Sequence, residues 1–177
     1  MRRTVLLLLA GGAALFHLFS AGVSPFTALV QRPIHLAFMG SLGFLGMGMD
    51  RGDERTGTVA ADEWGFPRAA WNVFLVLAVV LSSFYLVLEH EALVRRAGNP
   101  TPLDLAGGLL ALAVVLELAR RTTGWGLVSV AVLALVYAVA GPSLPGFLAH
   151  RGYGFRRLVE HLYLSTEGIW GVPLGVS

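Results

Sequence analysis

Five long apolar stretches punctuated by short polar breaks set the pattern of this chain. The first runs from about Thr4 to Val23, the second from Pro33 to Met49 and the third from Ala69 to Leu88. The fourth runs from Leu103 to Ala119, the fifth from Trp125 to about Ala140. A helix needs roughly 20 apolar residues to cross a bilayer. The first and third meet that comfortably. The second, fourth and fifth are short, so each reads as a tilted span, a re-entrant piece or half of a tight hairpin.

The breaks carry their own signals. Ser24-Pro25 closes the first stretch, and Pro33 suits the first turn of a helix. Residues 50–68 form the long polar loop. Thr101-Pro102-Leu103-Asp104 has the pattern of a capping box, with Thr101 as N-cap and Asp104 reaching back. Gly141-Pro142 and Pro145-Gly146 end the fifth stretch. Between 154 and 166, Phe155, Leu158, Val159 and Leu162 recur at helical spacing beside Arg156, Arg157, Glu160 and His161, which predicts a short interfacial amphipathic helix. The expected fold is therefore all-α: an integral membrane bundle of four to five transmembrane helices. MRR before an apolar run also fits a secretory signal; the length of the run and the segments that follow favour a retained helix.

Composition agrees. The chain is 55% hydrophobic and only 14% charged, against about 25% charged in soluble domains. All 13 basic residues are arginine and the net charge is +2. With no basic patch interleaved by aromatics, nucleic acid is not an expected partner. There is no cysteine, which removes disulfides and thiolate metal sites. The arginines fall almost evenly on the two sides of a five-span arrangement, so the positive-inside rule is weak here; the MRR start and the Arg120-Arg121 turn favour an inside N-terminus.

Few residues offer chemistry. Glu117 lies near the end of the fourth stretch, four residues before Arg121, and reads as an interfacial ion pair or as a buried contact to another helix. His17 lies within the first stretch and reads as a packed histidine with no identifiable partner. Arg32 and His35 are spaced to share a helix face at the interface. No catalytic constellation, metal-ligand spacing or phosphate loop is present, so no catalytic, cofactor or metal residue is assigned. Gly11-Gly12, the glycines of 43–49 and Gly107-Gly108 suit close helix packing. Trp64, Trp71, Trp125 and Trp170 suit interfacial anchoring.

Four phrases then accumulate: RPIHLAF at 32–38, GNPTPLD at 98–104, LELARRTTGWGL at 116–127 and STEGIWGVPLGVS at 165–177. Together they resemble the membrane component of tripartite ATP-independent periplasmic (TRAP) transporters, in particular the small DctQ-like part of the fused permeases that work with TAXI-class binding proteins. The resemblance implies residence in the bacterial or archaeal inner membrane and secondary transport of organic anions, usually driven by a sodium gradient. It also implies two partners besides the lipid bilayer: a DctM-like large membrane subunit or domain, and an extracytoplasmic TAXI-type solute-binding protein. On this reading residues 1–163 are the small domain and 164–177 a junction toward the large one, where substrate chemistry would reside. Arg32, His35, Glu117, Arg120, Arg121, Glu167 and Gly168 match recurring phrases of the small part, which implies structural or interface roles and assigns no substrate-binding residue. The readings set against it are an integral-membrane enzyme using His17, His35, His90 or Glu117, and a membrane anchor or assembly protein outside transport.

Overall fold

A computed structural model describes residues 2–46 and 66–171. Among them the regular structure is helical throughout: α1 (Arg2–Gly22), α2 (Ala28–Gly46), α3 (Phe66–Arg95), α4 (Pro102–Thr123), α5 (Trp125–Ala140) and α6 (Phe155–Val159). Two short 3-10 turns, Gly141–Ser143 and Gly146–Leu148, separate α5 from α6, and α6 widens into a π-type turn over Glu160–Leu164. Four helices are long and apolar enough to cross a membrane: Arg3–Gly22, Arg68–Arg95, Pro102–Thr123 and Trp125–Ser143. The chain is thus an all-α, multi-pass membrane bundle.

The helices pack in chain order. α2 lies most extensively on α3 and α3 on α4, while α1 leans chiefly on α2 and α5 on α4. The core sits along α2, α3 and α4, where Leu36, Phe44, Leu75, Val79, Leu86, Ala111 and Val114 are buried. Gly40 lets α2 press against α3: a Cβ there would stand 3.0 Å from Val79 Cγ2. α1 and α5 instead turn most of their apolar side chains outward, with Leu7, Leu8, Leu15 and Leu18 on one and Val130 and Leu133 on the other all exposed. That is the surface expected of helices facing lipid or another apolar protein surface.

The second apolar stretch begins earlier than its proline suggests. α2 starts at Ala28, with the Thr27 carbonyl taking the first turn's amides from Val30 and Gln31, so Pro33 lies inside the helix and is buried. An interior proline leaves the carbonyl four residues before it unpaired, and packing against neighbouring helices compensates for that loss in a membrane bundle. α2 is not among the four helices long and apolar enough to cross; Gln31, Arg32 and His35 interrupt it. Its ends nevertheless touch opposite ends of α4. Arg32 donates to the carbonyls of Trp170 and Gly171, in the segment packed on the first turns of α4. Phe44 lies under Arg121 from the last turn of α4, 5.2 Å from guanidinium carbon to ring centroid. At 19 residues α2 is about 28 Å long.

α4 ends as well as it begins. Thr101 accepts from the Asp104 amide and Asp104 accepts from the Thr101 amide, completing the expected capping box. At its other end Gly124, at φ +85, turns the chain directly into α5. With that glycine as the only residue between them, the two helices form a tight hairpin.

The amphipathic segment is present, but it does not lie free on the surface. Val159 and Tyr163 face the bundle and are buried, while Phe155, Arg156 and Arg157 are exposed. Of the expected apolar face, Val159 is buried, Leu158 and Leu162 are half-buried and Phe155 is exposed, and Tyr163 joins Val159 on the inner side. Gly107 and Gly108 of α4 make this docking possible: a Cβ at Gly108 would fall 2.4 Å from Val159 Cγ1.

Candidate functional site

The polar residues of the bundle gather into two clusters at the ends of α4 and one histidine pair between α1 and α2. The first cluster centres on Asp104, which is fully buried. Its carboxylate accepts from Arg96 Nε at 3.1 Å and Nη2 at 2.8 Å, a forked pair. It also accepts from the Tyr85 hydroxyl at 2.6 Å and from the Thr101 amide and hydroxyl at 2.7 and 2.8 Å. Arg96 holds Glu89 as well, at 3.1 Å. A buried carboxylate is tolerable only when its lone pairs are filled this way. Hydrogen bonding to Asp104, then to Glu89, holds the Arg96 guanidinium more firmly protonated than usual. The end of α3 and the start of α4 are locked together by this network.

Beside it, the chain after α6 wedges into the bundle. Tyr163 donates to the Ser82 carbonyl at 2.6 Å, and the Trp170 indole donates to the Tyr163 carbonyl at 2.6 Å. Both rings are fully buried. Burial pushes the Tyr163 phenol up from its usual range. Trp170 therefore sits in the core, contrary to the interfacial role expected for it, because the turn at Ser165–Gly171 folds it back under Arg32. The Ile169 amide donates to the Leu162 carbonyl at 2.8 Å. Gly168 is required at that crossing: a Cβ would come within 2.4 Å of the Leu162 backbone. Glu167 is exposed, its amide capped by Ser165 Oγ at 3.2 Å. Residues 172–177 of the expected junction lie outside the described residues, as do the 50–65 part of the polar loop and Trp64.

The second cluster centres on Glu117. Its carboxylate accepts from Arg120 at 2.7 Å on each oxygen and from Arg121 at 2.7 Å. Arg121 goes on to Asn72 of α3 at 2.7 Å. Arg120 covers the exposed ring of Trp125 at 5.4 Å. The expected Glu117–Arg121 pair is thus one edge of a larger set that serves both readings: Arg120 faces the surface and Arg121 makes a cross-helix contact.

Arg32 and His35 do not share a partner, although they are spaced to share a face. Arg32 turns toward Trp170, whereas His35 Nδ1 faces His17 Nε2 at 2.9 Å. His17 thus has a partner after all. Sequence spacing gave no sign of it, because the two rings meet only when α1 folds back on α2. Of the glycines expected to pack closely, Gly12 meets the Phe38 ring at 3.5 Å, while Gly11 and Gly46 face open space.

A groove of about 260 Å³ opens between α1, α2 and α3, lined by Leu9, Phe38, Val80 and Phe84 with Ser41 and Ser83. The buried Ser83 hydroxyl has no partner among the described residues. Among those residues no three histidine or acidic side chains gather as a metal set would. The arrangement is suited to joining helices at their ends, where each cluster ties two or more elements. No family model, curated protein or solved structure matches the chain.

Proposed function

We propose that this chain is the small, scaffold-like membrane component of a TRAP-type secondary transporter in a bacterial or archaeal inner membrane, working with a DctM-like large subunit or domain. The solute would be an organic anion delivered by an extracytoplasmic TAXI-type binding protein. The observation that carries the proposal is where the family-like phrases fall in the fold. Arg32 of the first phrase ties α2 to Trp170 of the last. Asp104 of the second ties α4 to α3. Glu117 and Arg121 of the third tie the other end of α4 to Asn72. The phrases that carry the resemblance thus supply joints of the bundle, and His35 of the first adds the contact with His17 between α1 and α2.

The uncovered apolar flanks of α1 and α5 support the same reading, since a scaffold must present such surface to a larger membrane partner. Co-expression with a DctM-like subunit followed by detergent extraction and affinity capture tests it. The two chains should leave the column together in fixed ratio. Capture of this chain alone, in a mild detergent in which the large subunit stays soluble, would overturn the proposal.

A further inference from the structure

After α5 the chain does not run out into water. It doubles back as a hook on the last turns of the helix. The Tyr153 amide donates to the Ala138 carbonyl at 2.8 Å, His150 Nε2 meets the Tyr137 carbonyl at 2.9 Å, and the His150 amide donates to the Gly141 carbonyl at 3.2 Å. A helix end leaves its last carbonyls without partners, and near the hydrocarbon such groups are costly. The hook satisfies them and is fixed in doing so. Gly141 is backed so closely by the His150 ring that a Cβ would stand 2.3 Å from it. Gly152, at φ +70, is equally close to Pro142.

The bonding holds residues 147–153 level with the final turns of a helix apolar enough to cross the membrane. What the hook and the start of α6 present there is of two kinds. Phe147 is 96% exposed, and Tyr153 and Phe155 are more than half exposed. Arg151, Arg156 and Arg157 are also exposed, and none of them has an acidic partner among the described residues. The sequence from Gly141 to Val159 contains no acidic residue. Aromatic rings at a span end and unpaired arginines beside them match the two layers of a membrane interface, acyl boundary and headgroup.

We propose that this hook and the first turn of α6 form a binding site for anionic phospholipid, with Phe147, Tyr153 and Phe155 seated at the acyl boundary and Arg151, Arg156 and Arg157 on the phosphate. Every charge between Gly141 and Val159 is positive, so the headgroup complements it directly, and a guanidinium is suited to forked phosphate contact. The inference does not depend on the transport reading.

Native mass spectrometry of the full chain, released from micelles doped with phosphatidylglycerol or with phosphatidylcholine, tests it. Phosphatidylglycerol adducts should dominate. Each basic residue near an anionic surface contributes about fivefold in affinity, so R151Q/R156Q/R157Q should weaken phosphatidylglycerol retention by up to about 100-fold and leave phosphatidylcholine unchanged. R151K/R156K/R157K, which keeps the charge but loses the fork, should weaken retention less than the glutamine variant does. F147S should weaken retention of both lipids. Equal retention of the two lipids by the native chain overturns the proposal, as does undiminished phosphatidylglycerol binding by a glutamine variant with native helicity. If that variant keeps its lipid but loses capture of an extracytoplasmic binding protein, the surface docks protein and the lipid site is refuted.

Discussion

Asp104 shows how much one side chain can carry in this bundle. Five donor contacts converge on its carboxylate, and its loss would leave the Tyr85 hydroxyl and the Thr101 amide without their acceptor. Asp104→Ala should therefore destabilise the protein by about 2–3 kcal/mol, the range for orphaned buried partners, read as a lowered midpoint of thermal unfolding in detergent. Tyr163 makes a different kind of prediction. Its folded-state pKa is raised by burial, while an unfolded tyrosine titrates near 10. Below that pH both states keep the proton and stability is unaffected. Above it only the unfolded chain loses the proton, so stability falls as pH rises past about 10. Tyr163→Phe should lower the melting temperature at pH 8 through the lost bond to Ser82, yet flatten its decline between pH 10 and 11. An unchanged slope in the variant would mean that another group sets it. Asp104 was legible as a cap because Thr-Pro-Leu-Asp is a local pattern. That the same carboxylate also takes Arg96 and Tyr85 was not, since nothing local places those groups around it.

Elements meet here through glycine. Gly107 and Gly108 lie where α6 and the turn after it cross α4, and Val159 and Tyr163 fill the space that side chains would occupy. Gly108→Ala should cost about 1–3 kcal/mol by overpacking and should loosen the C-terminal wedge first. Limited proteolysis would then cut between residues 160 and 171 faster than in the native chain, with α1 to α5 intact. The small-residue pair was readable in the sequence as a packing surface, but the element that packs on it was not. Its apolar residues suit a helix lying on a membrane equally well, and only the crossing with α4 selects Val159 and Tyr163 as the inner face. The histidine pair is a second joint between elements. His17 and His35 share one hydrogen bond between α1 and α2, and such interhelical bonds average about 0.6 kcal/mol in membrane bundles. A double-mutant cycle with His17→Phe and His35→Phe should return a coupling of that size. A coupling of zero would mean that the rings merely touch.

At the scale of the whole molecule, the open matter at sequence level was the second apolar stretch. Its proline, arginine and histidine dilute its apolar character, so hydropathy alone leaves its crossing undecided. Packing supplies what hydropathy does not. α2 runs beside α3 for its length, with Arg32 at the Trp170 end of the bundle and Phe44 at the Arg121 end. Two of its polar residues are engaged within the protein: Arg32 by backbone carbonyls and His35 by His17. A helix of about 28 Å set among neighbours of membrane-spanning length matches a hydrocarbon core of about 30 Å. If α2 crosses with the four more apolar spans, the N-terminus and the Arg120-Arg121 turn lie on one side, and the hook and wedge after α5 on the other. The chain contains no cysteine, so single cysteines report cleanly. Ala28→Cys and Thr58→Cys, labelled in sealed vesicles with a membrane-impermeant maleimide, should react from opposite sides. Reaction from the same side would make α2 a re-entrant element held within the protein. It would then put the hook on the same side as the N-terminus, and the phospholipid bound there would belong to the other leaflet.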